Sequence, residues 1–168
     1  MLTERQVGHM TRLVDDLLDA SRMRTGRLQL RCARIDLCVP IAHAIRAVEL
    51  SLQEREHRLT VSFPDMPVWL DGDAARLEQV FVNLLLNAAK YTNVGGDINL
   101  SVTQEGHEAV VILRDTGIGI AADVLPRVFD PYVQADPSSR MSGLGLGLPL
   151  VRALVEEVVL PAGRVPKG

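Results

Sequence analysis

Asn83, Asn87 and Lys90 fall at i, i+4 and i+7 of the stretch Asn83-Leu84-Leu85-Leu86-Asn87-Ala88-Ala89-Lys90-Tyr91-Thr92, which puts them on one face of a helix. The opposite positions, Val82, Leu85, Leu86 and Ala89, are apolar. Asn is mildly unfavourable inside a helix, so two of them in register with a lysine need a reason. An amide oxygen can ligate Mg2+, and an ammonium can meet a phosphate. A bare solvated face would show the same pattern. A second cluster, Asp115-Thr116-Gly117-Ile118-Gly119-Ile120, directly follows an apolar strand-like run. Its alternate glycines let a ligand approach the backbone, and its carboxylate can accept from an exocyclic amine such as adenine N6. A tight turn capped by its own Asp would also read this way. A third cluster, Ser142-Gly143-Leu144-Gly145-Leu146-Gly147-Leu148, opens a helix. Free backbone N–H groups at a helix start suit a polyphosphate. It is not a Walker A loop, since no Gly-Lys-Ser/Thr follows, and it lacks the leading strand of a dinucleotide fingerprint.

The elements that must position these clusters follow from periodicity. Residues 1 to about 26 predict a helix, with Val7, Met10, Val14 and Leu17 in a stripe widened by Leu13 and Leu18, and Gly26 as its stop. Such a stripe needs another helix or a partner chain to cover it. Residues 27–37 predict an extended connector or short strand. Pro40 suits the start of a helix over 39–56. Leu59, Val61 and Phe63 alternate as a strand, Asp65-Met66-Pro67 turns, and Val68-Trp69-Leu70 is a second short strand. Asp73 can cap a helix running to about Lys90. Ile98, Leu100 and Val102, then residues 110–113, predict a hairpin. A long irregular segment over about 121–142 is a candidate lid, and a last helix covers about 146–158. Hairpins rather than repeated βαβ units argue for an α+β, two-layer sandwich.

With 168 residues, 47% of them hydrophobic, the chain can bury one domain core plus an appendage. A net charge of -3 gives no general pull toward nucleic acid or anionic lipid. No apolar run reaches bilayer-spanning length, and residues 1–5 do not open a signal peptide. Cys32 and Cys38 form neither a disulfide framework nor a metal site and read as reduced structural thiols. Of 18 basic residues 16 are Arg, so Lys90, the only lysine outside the terminal tail, hints at a need for a compact charge.

Taken in order, the three clusters resemble the N, G1 and G2 boxes of the catalytic domain of two-component sensor histidine kinases, members of the GHKL (Bergerat-fold) ATPase superfamily. Phe129-Asp130-Pro131-Tyr132 resembles the F box of the lid, and Asp71-Gly72-Asp73 with Arg76-Leu77 and Gln79 resembles the lead-in to the N box. Leu17-Leu18-Asp19-Ala20-Ser21-Arg22 resembles the second helix of the dimerisation and phosphotransfer hairpin. The resemblance spans residues 5 to 156. It implies a partial hairpin helix over residues 1–30 and an ATP-binding domain over 31–168. It implies that Asn87 holds Mg2+ with Asn83 in support, that Lys90 meets phosphate and that Tyr91 borders the nucleotide. It implies that Asp115 reads adenine N6, with Gly117 and Gly119 shaping that pocket, and that Gly143, Gly145 and Gly147 close on the phosphates of ATP. Arg140 is a further phosphate contact. The implied partners are a histidine-bearing phosphotransfer helix, a response-regulator receiver domain and a second copy of the parent protein. The implied location is the cytoplasm, with a membrane anchor allowed in a longer parent.

Two departures from the family pattern set further expectations. No segment matches the phosphate-accepting His and its acidic neighbour; His9 aligns to the second hairpin helix, and His43, His57 and His107 lack a motif. The acceptor is therefore expected outside this chain. The family's Gly-Gly turn and two last strands are replaced by Glu156-Glu157-Val158-Val159-Leu160-Pro161-Ala162-Gly163, which predicts missing strands and a bared sheet edge, and Ser142 replaces a more usual Gly. Gyrase-type members carry a Glu four residues before the metal-binding Asn. Asn83 stands there instead, and an amide cannot act as a general base, which favours phosphoryl transfer over hydrolysis. A catalytically silent nucleotide-binding or dimerising fragment, a GHKL hydrolase and a serine-kinase relative remain as alternatives.

Overall fold

The computed structural model describes residues 8, 11, 14, 15, 17–19, 21, 22, 29–134 and 145–158. Its elements are β1 (Ala33–Asp36), α1 (Cys38–Gln53), β2 (Arg58–Ser62), β3 (Trp69–Gly72), α2 (Ala74–Tyr91), β4 (Asp97–Glu105), β5 (Glu108–Asp115), a 3-10 turn (Leu125–Arg127) and α3 (Gly147–Val158). The described residues between 8 and 22 are helical as well.

β4 shows how the sandwich is built. Its alternation buries Ile98, Leu100 and Val102 on one face and turns Asn99 and Thr103 to solvent. The buried face meets the apolar sides of all three helices: Ile41, Ala44 and Val48 of α1, Leu77, Phe81 and Leu85 of α2, and Leu150 and Leu154 of α3 share one core with it. Helices over one face of a sheet make the expected α+β two-layer arrangement. β5 pairs antiparallel with β4 through a two-residue turn, with Gly106 at φ +62°, where a side chain would be strained. Opposite residues share a face, so Leu113 lies over Leu100 and Asp115 over Ile98. Strand period thus carries Asp115 to the helix-covered face at the strand's end.

One pairing departs from the hairpin reading. β2 runs parallel to β4, with Leu59 beside Ile98 and Val61 beside Leu100. α2 lies between them in sequence and covers the sheet, so the chain returns in the same direction. β3 pairs with β1 instead, as a separate two-stranded antiparallel ribbon starting at Trp69. Val68 precedes that ladder and is held by Asp36, whose Oδ1 accepts from the backbone N–H of Val68 and Cys38 at 3.1 Å each.

Asp73 starts α2 as expected: Oδ1 accepts from Ala75 N at 3.1 Å and Arg76 N at 3.2 Å. Its Oδ2 accepts from Arg31 N at 2.8 Å, tying the incoming connector to the same point. Cys32 and Cys38 are free thiols, and burial pushes both above the ordinary thiol range, with nearby Asp carboxylates adding to it.

On the leading helix Val14, Leu17 and Leu18 are each about half exposed. Val7, Met10, Leu13, His9 and the stop at Gly26 lie outside the described residues. So do residues 159–168, on which the expected loss of strands turns; among the described residues β5 pairs with β4 alone. No helix among the described residues is long and apolar enough to cross a membrane.

Candidate nucleotide site

α2 is the spine of the site. Asn83, Asn87 and Lys90 are all half-buried, so their face is not a freely solvated one. The Asn83 Nδ2 is buried and finds no partner among the described residues. The Lys90 ammonium lies 4.7 Å from the centre of the Tyr91 ring, a cation–π contact that holds the charge beside the helix end.

Both glycine segments come to this helix. α3 begins at Gly147, and a Cβ placed there would lie 3.8 Å from Asn87 Nδ2. The free N–H groups of the α3 start are therefore next to the Asn87 amide. Just before it, Gly145 adopts φ +67°, and its carbonyl accepts from Tyr132 N at 3.0 Å. A Cβ on Gly145 would press to 2.9 Å from Val133 O, so only glycine fits that crossing. On the other side, Ile118 N donates to Tyr91 O at 3.1 Å. A Cβ on Gly117 would sit 2.4 Å from the same oxygen and 2.6 Å from Asp115 Oδ1. That close approach is what the glycine is for.

Asp115 is exposed at the end of β5, and its Oδ1 accepts from Gly117 N at 2.9 Å. Among the described residues its Oδ2 accepts from none, leaving one carboxylate oxygen for a ligand's donor. Thr116 anchors the turn on β4: its N–H donates to Asp97 O at 3.0 Å, and its hydroxyl accepts from Asp97 N at 3.0 Å. Asp97 is in turn gripped by Arg58, Nε to Oδ1 at 2.7 Å and Nη2 to Oδ2 at 3.1 Å. The bonds from Arg58 hold the Asp97 carboxyl below its ordinary range. Gly119 is exposed at φ +71° with open space where a Cβ would stand. Phe129 of the F-box-like segment lies under the Arg152 guanidinium of α3, 6.0 Å from the ring centre. Arg140 and Gly143 lie outside the described residues.

The structure also holds contacts that the sequence does not announce. Asp19 of the leading helix is buried against the start of α2, its Oδ2 accepting from Arg76 Nη1 at 2.6 Å and Gln79 Nε2 at 3.0 Å. His57 Nε2 meets Ala89 O at 2.9 Å, and Arg55 Nη2 donates to Thr92 O at 3.0 Å.

A family model described as histidine kinase-, DNA gyrase B-, and HSP90-like ATPase matches residues 72–164. The chain belongs to this family. The matched stretch of this ATPase-family chain holds α2, the Asp115 turn and the α3 start, the three parts that the geometry brings together. The chain is 36% identical over 159 residues to the sensor histidine kinase TrcS of Mycobacterium tuberculosis, covering 91% of itself and 31% of the relative. It is 34% identical over 152 residues to the histidine protein kinase DivJ of Caulobacter vibrioides, covering 89% of itself and 25% of the relative. It thus spans about a third or less of these relatives. Among solved structures, the Acinetobacter baumannii histidine kinase AdeS superposes with a TM-score of 0.72 at 26% identity, covering 90% of this chain and 69% of that one. Full-length ShkA, solved in complex with AMPPNP, superposes with a TM-score of 0.74 at 26% identity, covering 93% of this chain and 35% of that one.

Proposed function

We propose that this chain is the ATP-binding catalytic part of a sensor histidine kinase, and that it passes the γ-phosphoryl group of Mg-ATP to a histidine on a segment outside it. One observation carries the reading: the Asn87–Lys90 face of α2 is flanked by the α3 start at Gly147 and by the Asp115–Ile120 turn, packed on Tyr91 O. The donor set fits the ligand. The free Asp115 oxygen accepts from an adenine amine, while Gly117 lets the turn seat on Tyr91 O and Gly119 leaves open space beside it. Backbone N–H groups around Gly143, Gly145 and Gly147 suit phosphate oxygens, with Lys90 and Arg140 adding positive charge. The half-buried Asn87 amide, with Asn83 beside it, suits an oxygen-loving cation. Mg2+ bound there would supply charge neutralisation on the phosphates. Tyr91 borders the pocket.

In this reading residues 1–30 belong to the dimerisation and phosphotransfer hairpin, and residues 31–168 to the catalytic domain. The exposed Val14, Leu17 and Leu18 support a helix partner, met by a homodimer of the parent protein. The phosphohistidine would then serve a receiver domain, in the cytoplasm where ATP is abundant. Asn83 at the position of a general base supports transfer rather than hydrolysis.

Incubation of the chain with γ-labelled ATP, Mg2+ and a purified histidine-bearing helical hairpin tests this. Acid-labile label on the hairpin is expected. Steady phosphate release with no protein acceptor would replace the reading with a hydrolase, and nucleotide binding with no transfer to a competent hairpin would replace it with a silent binding module.

A further inference from the structure

The last carbonyls of a helix have no partner within it, and something outside must satisfy them. At the end of α2 these donors come from other elements. Ala89 O meets His57 Nε2, Tyr91 O accepts from Ile118 N, and Thr92 O accepts from Arg55 Nη2. A carbonyl can only accept, so His57 carries a hydrogen on Nε2. Its Nδ1 is buried and finds no partner among the described residues, so the ring is placed for this one bond. The loop after α2 is stapled to the same turn, Gly95 N to Arg55 O at 2.9 Å and Arg58 N to Gly96 O at 3.0 Å.

The end of α1 is shaped to deliver these donors. Glu56 N donates to Gln53 O and His57 N to Leu52 O, a paired C-terminal motif with Glu56 in the left-handed region at φ +56°. A glycine would adopt that conformation without strain. The basic residue in the last turn of α2 is Lys90, yet its ammonium rests over Tyr91, and the carbonyls of Ala89 and Thr92 are served from the α1–β2 turn.

We propose that His57 and Arg55 are positioning residues for nucleotide binding. By donating to the terminal carbonyls of α2 they fix Lys90 and Tyr91, leave the Lys90 charge for phosphate, and through Tyr91 O seat the Asp115–Ile120 turn. The inference rests on the nucleotide-site reading above and is separable from it.

The test compares His57→Ala with His57→Gln, whose amide restores a donor. Mg-ATP affinity is measured by calorimetry, and the exchange rate of the Ile118 amide is measured without nucleotide. His57→Ala is expected to bind about five- to tenfold more weakly and to exchange Ile118 faster, while His57→Gln stays within about twofold on both. Unchanged affinity and exchange in His57→Ala, or equal impairment in His57→Gln, would overturn the proposal. If the wild-type chain binds no nucleotide, the function reading fails and takes the nucleotide role with it, and the Ile118 exchange still decides whether His57 seats the turn. Should His57→Ala not fold, Arg55→Ala against Arg55→Lys asks the same question at Thr92 O, with the same two outcomes.

Discussion

Gly117→Ala probes the contact on which the site depends. The new Cβ would stand 2.4 Å from Tyr91 O, 2.6 Å from Asp115 Oδ1 and 2.9 Å from Tyr91 C. Two of these three are backbone atoms of the α2 end, which no rotamer change can move aside. Relief requires the turn to shift by about 1 Å, enough to break the 3.1 Å bond from Ile118 N to Tyr91 O. Forced overpacking costs about 1–3 kcal/mol, and the lost hydrogen bond adds about 1 kcal/mol. A total of about 2–4 kcal/mol lowers Tm by roughly 4–16 °C in a domain of this size. Because Gly117 N also holds Asp115 Oδ1 at 2.9 Å, nucleotide affinity should fall more than about tenfold. Gly119→Ala is the internal control. Unlike Gly117 it adopts a positive φ, +71°, but it meets open space, so only the conformational cost of about 1–2 kcal/mol applies. Differential scanning fluorimetry with and without Mg-ATP reads both variants. A Gly117→Ala Tm within about 1 °C of wild type, or a larger loss in Gly119→Ala, would show that the turn does not rest on Tyr91 O as described.

Other perturbations test the frame around the site. Asp19→Ala leaves the Arg76 guanidinium without its buried carboxylate and should cost about 3 kcal/mol in urea denaturation; no change would mean the leading helix does not rest on α2 in solution. Glu56→Gly relieves the left-handed strain at φ +56° and should stabilise by up to about 1 kcal/mol; a destabilised variant would show that the Glu56 side chain contributes more than the strain costs. The Arg58–Asp97 pair is exposed, and Arg58 holds the Asp97 carboxyl below its ordinary value. Its stabilisation is present above the ordinary carboxylate range near pH 4 and is lost as pH falls through the lower folded value. The stability gap between wild type and Arg58→Ala should therefore narrow as pH falls below the ordinary carboxylate range and shrink in high salt, and a gap that stays constant into acid would contradict the assignment.

What the sequence disclosed was local. α2 was legible because Asp73 caps it and a clean apolar face runs along it, and the β4–β5 hairpin because the alternation of Ile98, Leu100 and Val102 and the apolar run over 110–113 flank a turn, which the structure closes at Gly106 and His107. The limits of α1 and α3 fell within a few residues, from Pro40 near the start of one and the glycines that open the other. Pairings across long stretches of chain were not legible. The parallel register of β2 on β4 depends on α2 covering the sheet, and no turn signal encodes it. Asp19 looks like any helix-surface acid until the fold sets Arg76, 57 residues on, against it. His57 carries no motif, because its partner is a backbone carbonyl 32 residues away, and any residue type presents one. In the site, Asn87, Lys90, Asp115, Gly117, Gly145 and Gly147 could be chosen by residue type and spacing, but their meeting at α2 is a property of the folded core.

The proposed role of the carboxylate ending β5 is to read a nucleotide base held against α2. Isothermal titration of Mg-ATP into wild type and Asp115→Asn tests it most directly. Saturable binding is expected for wild type and none for the variant, whose amide either opposes the adenine amine with a second donor or offers an uncharged acceptor. Equal affinity in the two proteins would contradict it.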